Sequence, residues 1–186
     1  MINGKQIRKP GIPVAPRKVK DVRLVTQLTR LIFGIKGYFC DVVGILEKFG
    51  TGHFSDYKFE IIADNDPILQ DAWAITTPHE RTIRIKESVY NNACNGEPQS
   101  RFTIAHELGH LFLHHKFDET FAREKAYGYI ETWRDSEWQA DTFAAEILMP
   151  KDLVRGLTIE EICKNCGVSH SAAETRLRKL NTASWQ

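Results

Sequence analysis

The run Arg101–His115, RFTIAHELGHLFLHH, limits the possible folds of this chain more than any other stretch. Residues four apart on an α-helix share a face, so His106 and His110 can point two imidazoles at one cation. Glu107 is turned about 100° from His106. It lies beside such a cation rather than on it, within reach of a water held there, the position a hydrolase gives its general base. Ile104, Ala105, Leu108, Leu111, Phe112 and Leu113 make the segment apolar nearly all round, the pattern of a helix buried in a domain, with Ser100 as its N-cap. Two solvated histidines on a surface helix would not need that apolar wrapping.

The residues downstream narrow the class. A metzincin carries Gly three positions after the second His and a third His three beyond that. Here those positions hold Leu113 and Lys116. His114 continues the four-residue spacing, but a straight helix carries it about 12 Å along the axis from His106. Zn–N bonds of about 2.0–2.1 Å cannot span that, so His114 is expected to pack or face solvent. The third ligand is expected from a second helix, Glu137 to Met149, stopped by Pro150. Glu137, Ala140, Asp141, Ala144 and Leu148 share one of its faces. An acid pair on a face otherwise built of Ala and Leu makes sense if Glu137 binds the metal. Asp141, one turn on, would then accept the second ring N–H of a ligand histidine and fix its tautomer. The plainer alternative is an amphipathic helix with ordinary surface acids.

Together, RFTIAHELGHLFLHH and ExxAD-x-FAAEILMP resemble the ImmA/IrrE family of zinc metallopeptidases in wording, order and spacing, over roughly residues 80–150. The resemblance implies one zinc per chain held by His106, His110 and Glu137, with Glu107 as the catalytic acid. The family commonly has Asn or Asp at the place of Asp141. It also implies a gluzincin-like endopeptidase that cuts a partner protein, an Xre-type helix-turn-helix repressor or antitoxin encoded nearby.

The rest of the chain supplies context. Its 186 residues suit one domain with small appendages, and a net charge of +1 gives no global argument for nucleic acid. Cys40, Cys94, Cys163 and Cys166 are scattered, which fits reduced thiols in a cytoplasm better than a secreted framework. No signal-like apolar core or membrane-length run is present, so a cytoplasmic location is expected. Residues 1–20 carry basic side chains, no acid, and Pro10, Pro13 and Pro16; they read as a basic flexible arm. From 21 to 50 the pattern is helical, with Val22, Val25, Leu28, Leu31 and Ile32 as a buried stripe and a second helix over Val42–Phe49.

Strands are expected over Tyr57–Ala63, Ala72–Thr77 and Thr82–Lys86, the last two as a hairpin. In the last, Thr82, Arg84 and Lys86 alternate with Ile83 and Ile85, which suits a charged, exposed edge where a peptide could add. His53, His79, Tyr127 and Tyr129 are all candidates for stabilising an oxyanion, and the sequence does not choose among them. Residues 157–180 read as helix, Gly167 turn and helix, with basic Arg176, Arg178 and Lys179. That is a helix-turn-helix-like pair which either packs, docks substrate or touches DNA. Cys163-x-x-Cys166 has no second pair to complete a zinc site and reads as core.

The expected architecture is therefore an α+β zincin. A small twisted sheet packs on metal helices over 101–115 and 135–149, within a metallopeptidase domain of residues 21–150 followed by a C-terminal helical segment, 151–186. Three other readings stay open: a module that captures its partner without cutting it, a DNA-binding regulator, and a toxin whose partner is its antitoxin.

Overall fold

The computed structural model describes residues 11–69, 71–114 and 130–182. In chain order come α1 (Val19–Ile32), α2 (Val42–Leu46), β1 (Lys58–Ile62), β2 (Ala74–Thr77), β3 (Thr82–Lys86), α3 (Glu87–Cys94), α4 (Pro98–Leu113), α5 (Ser136–Leu148), α6 (Lys151–Val154), α7 (Ile159–Cys166) and α8 (His170–Leu180). The architecture is α+β. Helices α4 and α5 pack on each other at the centre, α1 lies on α5, and the sheet covers α4 through β2 and β3. Ile104, Leu108, Leu111, Phe143 and Ile147 form the middle of the core with no exposed surface. Each such side chain contributes about 1.5–3 kcal/mol by leaving water.

The sheet corrects one expectation. Its order is β1-β3-β2, with β1 parallel and β2 antiparallel to β3, so Thr82–Lys86 is the central strand and not an edge. Ile83 and Ile85 are fully buried. Arg84 bonds Glu60 on β1 at 2.8 Å and lies 3.6 Å from Glu80. Its charge therefore serves pairing across strands rather than protection of an edge. The edge strand over α4 is β2.

Helix α1 corrects another. Its buried positions are Val19, Val22, Thr26, Thr29 and Arg30, whereas Leu24, Leu28, Leu31 and Ile32 are exposed. Polar residues can face inward here because each has a partner. Thr26 and Thr29 bond back to the carbonyls of Arg23 and Val25, and Arg30 donates to Ile147 O at 2.8 Å and to Gly37 O.

Residues 11–18 are not a free arm. Val14 is buried, and the backbone pairs with the segment before α5 through Val14 N to Arg134 O (2.8 Å), Arg17 N to Trp133 O (2.9 Å) and Ser136 N to Ile12 O (3.1 Å). The prolines that exclude a helix leave an extended strip suited to that pairing. Residues 1–10, and with them Lys5, Arg8 and Lys9, lie outside the described residues, as do Tyr127 and Tyr129.

The C-terminal pair is clamped to the core by two arginines. From α4, buried Arg101 donates to Cys166 O (2.9 Å), Gly167 O and Cys40 O (2.8 Å), neutralising the carbonyl end of α7. Gly167 sits at φ +63, and a Cβ there would overlap the Arg101 guanidinium, so the turn needs glycine for two independent reasons. From α8, Arg176 reaches Glu146 on α5 at 2.8 Å with its side chain fully buried. Arg176 is thus removed from any DNA-facing surface. Among the described residues no helix is long and apolar enough to cross a membrane, and the four cysteines are free.

Candidate metal centre

The site is made where α4 crosses α5. Helix α4 starts three residues earlier than the sequence suggests: Pro98 is its first residue and the Glu97 carboxylate, not Ser100, caps it by accepting from Gln99 N and Ser100 N. Proline is pre-set for that first position, and a side-chain oxygen satisfies the free amides. Asp135 caps α5, accepting from Glu137 N at 2.8 Å and Trp138 N at 3.4 Å. Glu137 consequently lies in the first turn, where the helix dipole favours a carboxylate. The crossing is close because Gly109 faces Ala140: a Cβ on Gly109 would lie 3.0 Å from Ala140 Cα and 3.1 Å from Phe143 Cβ. That glycine, between His106 and His110, brings the acids of α5 within reach of the histidines of α4.

His106 Nε2 lies 3.0 Å from His110 Nε2 and 3.3 Å from Glu137 Oε2, and His110 Nε2 lies 3.3 Å from Glu137 Oε1. Bonds of about 2.05 Å in a tetrahedron set ligand atoms about 3.3 Å apart. The three donors therefore match the span of a zinc tetrahedron, and their nitrogen and carboxylate chemistry suits that ion. Asp141 Oδ1 is 2.8 Å from His106 Nδ1, on the side of the ring away from the cluster. Glu107, buried, is outside the cluster; Thr76 Oγ1 on β2 lies 2.6 Å from its Oε2.

The charges of the metal-free cluster are tightly coupled. Burial disfavours an imidazolium at His106, but hydrogen bonds to Asp141 and Glu137 outweigh it and raise the pKa to about 10. Burial likewise works against the Glu137 carboxylate, while its close contacts with His106 and His110 hold its pKa far below the ordinary range. A proton held between two imidazoles and two carboxylates occupies the place a cation would take. His114 behaves oppositely. It is buried, 3.2 Å from both His110 Nδ1 and Gln139 Oε1, and burial together with the neighbouring His110 pushes its pKa down to about 3.

Helix α5 carries Glu137, Asp141, Ala145 and Met149 at four-residue intervals, so one face leads from the cluster towards α8. Along it opens a cavity of about 590 Å³ lined by Phe102, Asp141, Ala145, Met149, Ala172 and Thr175. Of the other residues singled out from the sequence, His79 and His53 are on short 3₁₀ turns, and the structure does not bring either to the cluster. Thr76, Gly109 and Gln139 carried no sequence signal, because each acts on the site through a residue more than 20 positions away.

A sequence model of the peptidase M78 family, described as the IrrE N-terminal-like domain, matches residues 70–178. The chain belongs to this family. The matched span holds β2, β3, α4, α5 and most of the C-terminal pair, so the M78 zincin-like fold and the α+β architecture agree. No curated protein matches the chain. Among solved structures, a Mycobacterium tuberculosis transcriptional regulator is similar, with a TM-score of 0.59 at 18% identity over 89% of this chain. The likeness is one of fold, and this chain spans about half (48%) of that protein.

Proposed function

We propose that this M78 chain is a zinc-dependent endopeptidase, with one zinc held by His106, His110 and Glu137 and with Asp141 orienting His106. The observation that carries the reading is Glu107, a buried carboxylate one residue from a cluster histidine yet outside the cluster. A site that only stores a metal has no use for it. Zinc there would supply Lewis acidity, polarising the scissile carbonyl and making water nucleophilic near neutral pH. Glu107 takes the proton of the attacking water and delivers it to the leaving amine, a contribution of roughly 10²–10⁴-fold. The Thr76 hydroxyl steadies that carboxylate at 2.6 Å. Because Thr76 sits on edge strand β2, an extended peptide adding to that edge would pass beside Glu107.

The substrate is a polypeptide, and the resemblance to ImmA/IrrE peptidases favours an Xre-type helix-turn-helix repressor encoded nearby. The apolar cavity beyond Asp141 suits an apolar side chain of such a substrate. Burial of Arg176 against Glu146 favours a docking or packing role for residues 157–180 over contact with DNA.

The test is Glu107→Gln, which keeps size and helix propensity while removing the base. Zinc content and fold should survive, partner binding should persist, and cleavage of the neighbouring gene's product in cells should be lost. A variant producing the wild-type biological response would replace the peptidase by the capture or toxin reading.

A further inference from the structure

The two cluster histidines are supported differently. His106 has a carboxylate behind it, whereas His110 has another imidazole, His114 Nδ1 at 3.2 Å from its own Nδ1. Which nitrogen holds the proton is decided farther out, at Gln139. Its Nε2 lies 2.9 Å from Ala15 O and 2.8 Å from Trp133 O. Two carbonyl oxygens admit only the NH₂ group, because the reversed amide would set three oxygens together. Gln139 Oε1 is therefore the acceptor facing His114 Nε2 at 3.2 Å. A neutral imidazole that donates through Nε2 has a bare lone pair at Nδ1. That lone pair can only accept, so His110 donates from Nδ1 and keeps the lone pair on Nε2, the atom 3.0 Å from His106 Nε2 and 3.3 Å from Glu137.

We propose that His114, fixed by Gln139 and the carbonyls of Ala15 and Trp133, is a positioning residue that sets the tautomer of His110 and so presents its Nε2 lone pair to the metal. The fully buried Gln139 is the origin of the order, and the strip at residues 12–17 is what anchors it. This also accounts for a third histidine one turn beyond the second, too far along the helix to bind the same ion. An uncharged support behind His110 leaves the centre less negative than a second carboxylate would, which suits a site that already holds Glu137 and Glu107.

The inference rests on the proposed metal reading, but one readout is independent of it. In full-length, metal-free protein labelled with ¹⁵N-histidine, long-range couplings report which ring nitrogen is protonated. His114 should be the Nε2–H form and His110 should carry its proton on Nδ1; the reverse order would overturn the proposal. Zinc affinity, measured by competition with a chromophoric chelator, should fall about 10–100-fold in His114→Phe, the usual cost of losing an outer partner of a ligand. His114→Asn places an acceptor oxygen near the Nδ1 position and should bind zinc close to wild type. Wild-type affinity in the Phe variant, or an Asn variant as weak as Phe, would overturn it. If His114→Phe does not fold, the wild-type spectrum and the Asn variant still decide. Failure of the wild type to take up zinc would instead sink the metal reading, while the tautomers of the metal-free protein judge the relay separately.

Discussion

Helix α5 carries a cluster of charges at each end, and the two are built on opposite plans. At its start, Glu137 and Asp141 meet two histidines, and the side chains of Glu137 and Asp141 keep 29% and 32% of their surface. At its end, Glu146 is 1% exposed and meets Arg23 at 2.9 Å and Arg176 at 2.8 Å. Glu146 Oε1 accepts from both Arg23 and Arg176 and Oε2 accepts from Arg23, with Arg176 Nη2 2.8 Å from Oε2, so two guanidinium groups enclose the carboxylate. At the other end, two imidazole nitrogens and a carboxylate converge on a common space, 3.0–3.3 Å from one another. A closed, buried polar cluster fixes how helices pack; an open, part-exposed one invites a ligand. The C-terminal pair docks through the closed cluster, leaving the open one beside the cavity.

The largest expected effect breaks the closed end. Glu146→Leu removes the carboxylate that pairs with Arg176, whose side chain has no exposed surface, and with the part-buried Arg23. Removing one partner of a buried ion pair costs about 3–5 kcal/mol. Urea unfolding of the metal-free protein should show a loss of that size, and α7 and α8 should become sensitive to proteases first. Glu137→Gln, at the open end, should leave that unfolding curve far less changed while zinc no longer copurifies. Equal stability losses from the two variants would erase the distinction between the ends.

The open end was legible in the sequence, and the closed end was not. His106, His110, Glu137 and Asp141 are two pairs, each four residues apart on its own helix, so spacing alone places each pair on a face. Nothing local marks Glu146, Arg101 or Arg176 as buried, since their partners come from elements 27 to 123 residues away. The same limit explains part of α1: apolar period identifies a stripe, but Arg30 turns inward because Ile147 O, 117 residues away, receives it, while Thr26 and Thr29 satisfy themselves on carbonyls of their own helix. It explains the sheet as well. Alternation in Thr82–Lys86 shows which residues share a side, while the edge or centre of a sheet depends on β1, some 20 residues earlier.

Intermediate effects sharpen what makes the open end work. Asp141→Asn keeps the shape but weakens the support behind His106; zinc affinity should drop about 10–100-fold with the fold intact. Gly109→Ala drives a methyl towards Ala140 and Phe143, and overpacking there should cost about 1–3 kcal/mol. Because the same crossing sets the Glu137 distances of 3.3 Å, zinc binding should weaken along with stability in that variant. A Gly109→Ala protein with unchanged zinc affinity would show that the helices separate without moving the donors. Calorimetric unfolding and chelator competition on the same samples separate the two contributions.

The smallest effect is a slope, at most about 1.4 kcal/mol per pH unit for one proton. Without metal, His106 has its pKa raised to about 10 by Asp141 and Glu137 against the opposing cost of burial, while in the unfolded chain it titrates near 6.5. Below about 6.5 both states hold the proton, and the stabilisation is fully present. Between about 6.5 and 10 the folded chain holds a proton that the unfolded chain has released, so stability falls as pH rises, and above that the contribution is gone. Zinc reverses the sign. With Nε2 given to the metal, the folded ring binds no extra proton, and the unfolded chain is the one that binds more at low pH. Stability of the zinc-loaded protein should therefore rise as pH passes about 6.5 and then level. Thermal unfolding across pH 5 to 9 should show the zinc-loaded protein gaining stability up to about pH 6.5 and then levelling, and the metal-free protein losing it above about 6.5, with Asp141→Asn flattening the metal-free loss. Parallel slopes with and without the ion would mean that the metal does not take the proton's place at His106, and that the open end of α5 is closed by something else.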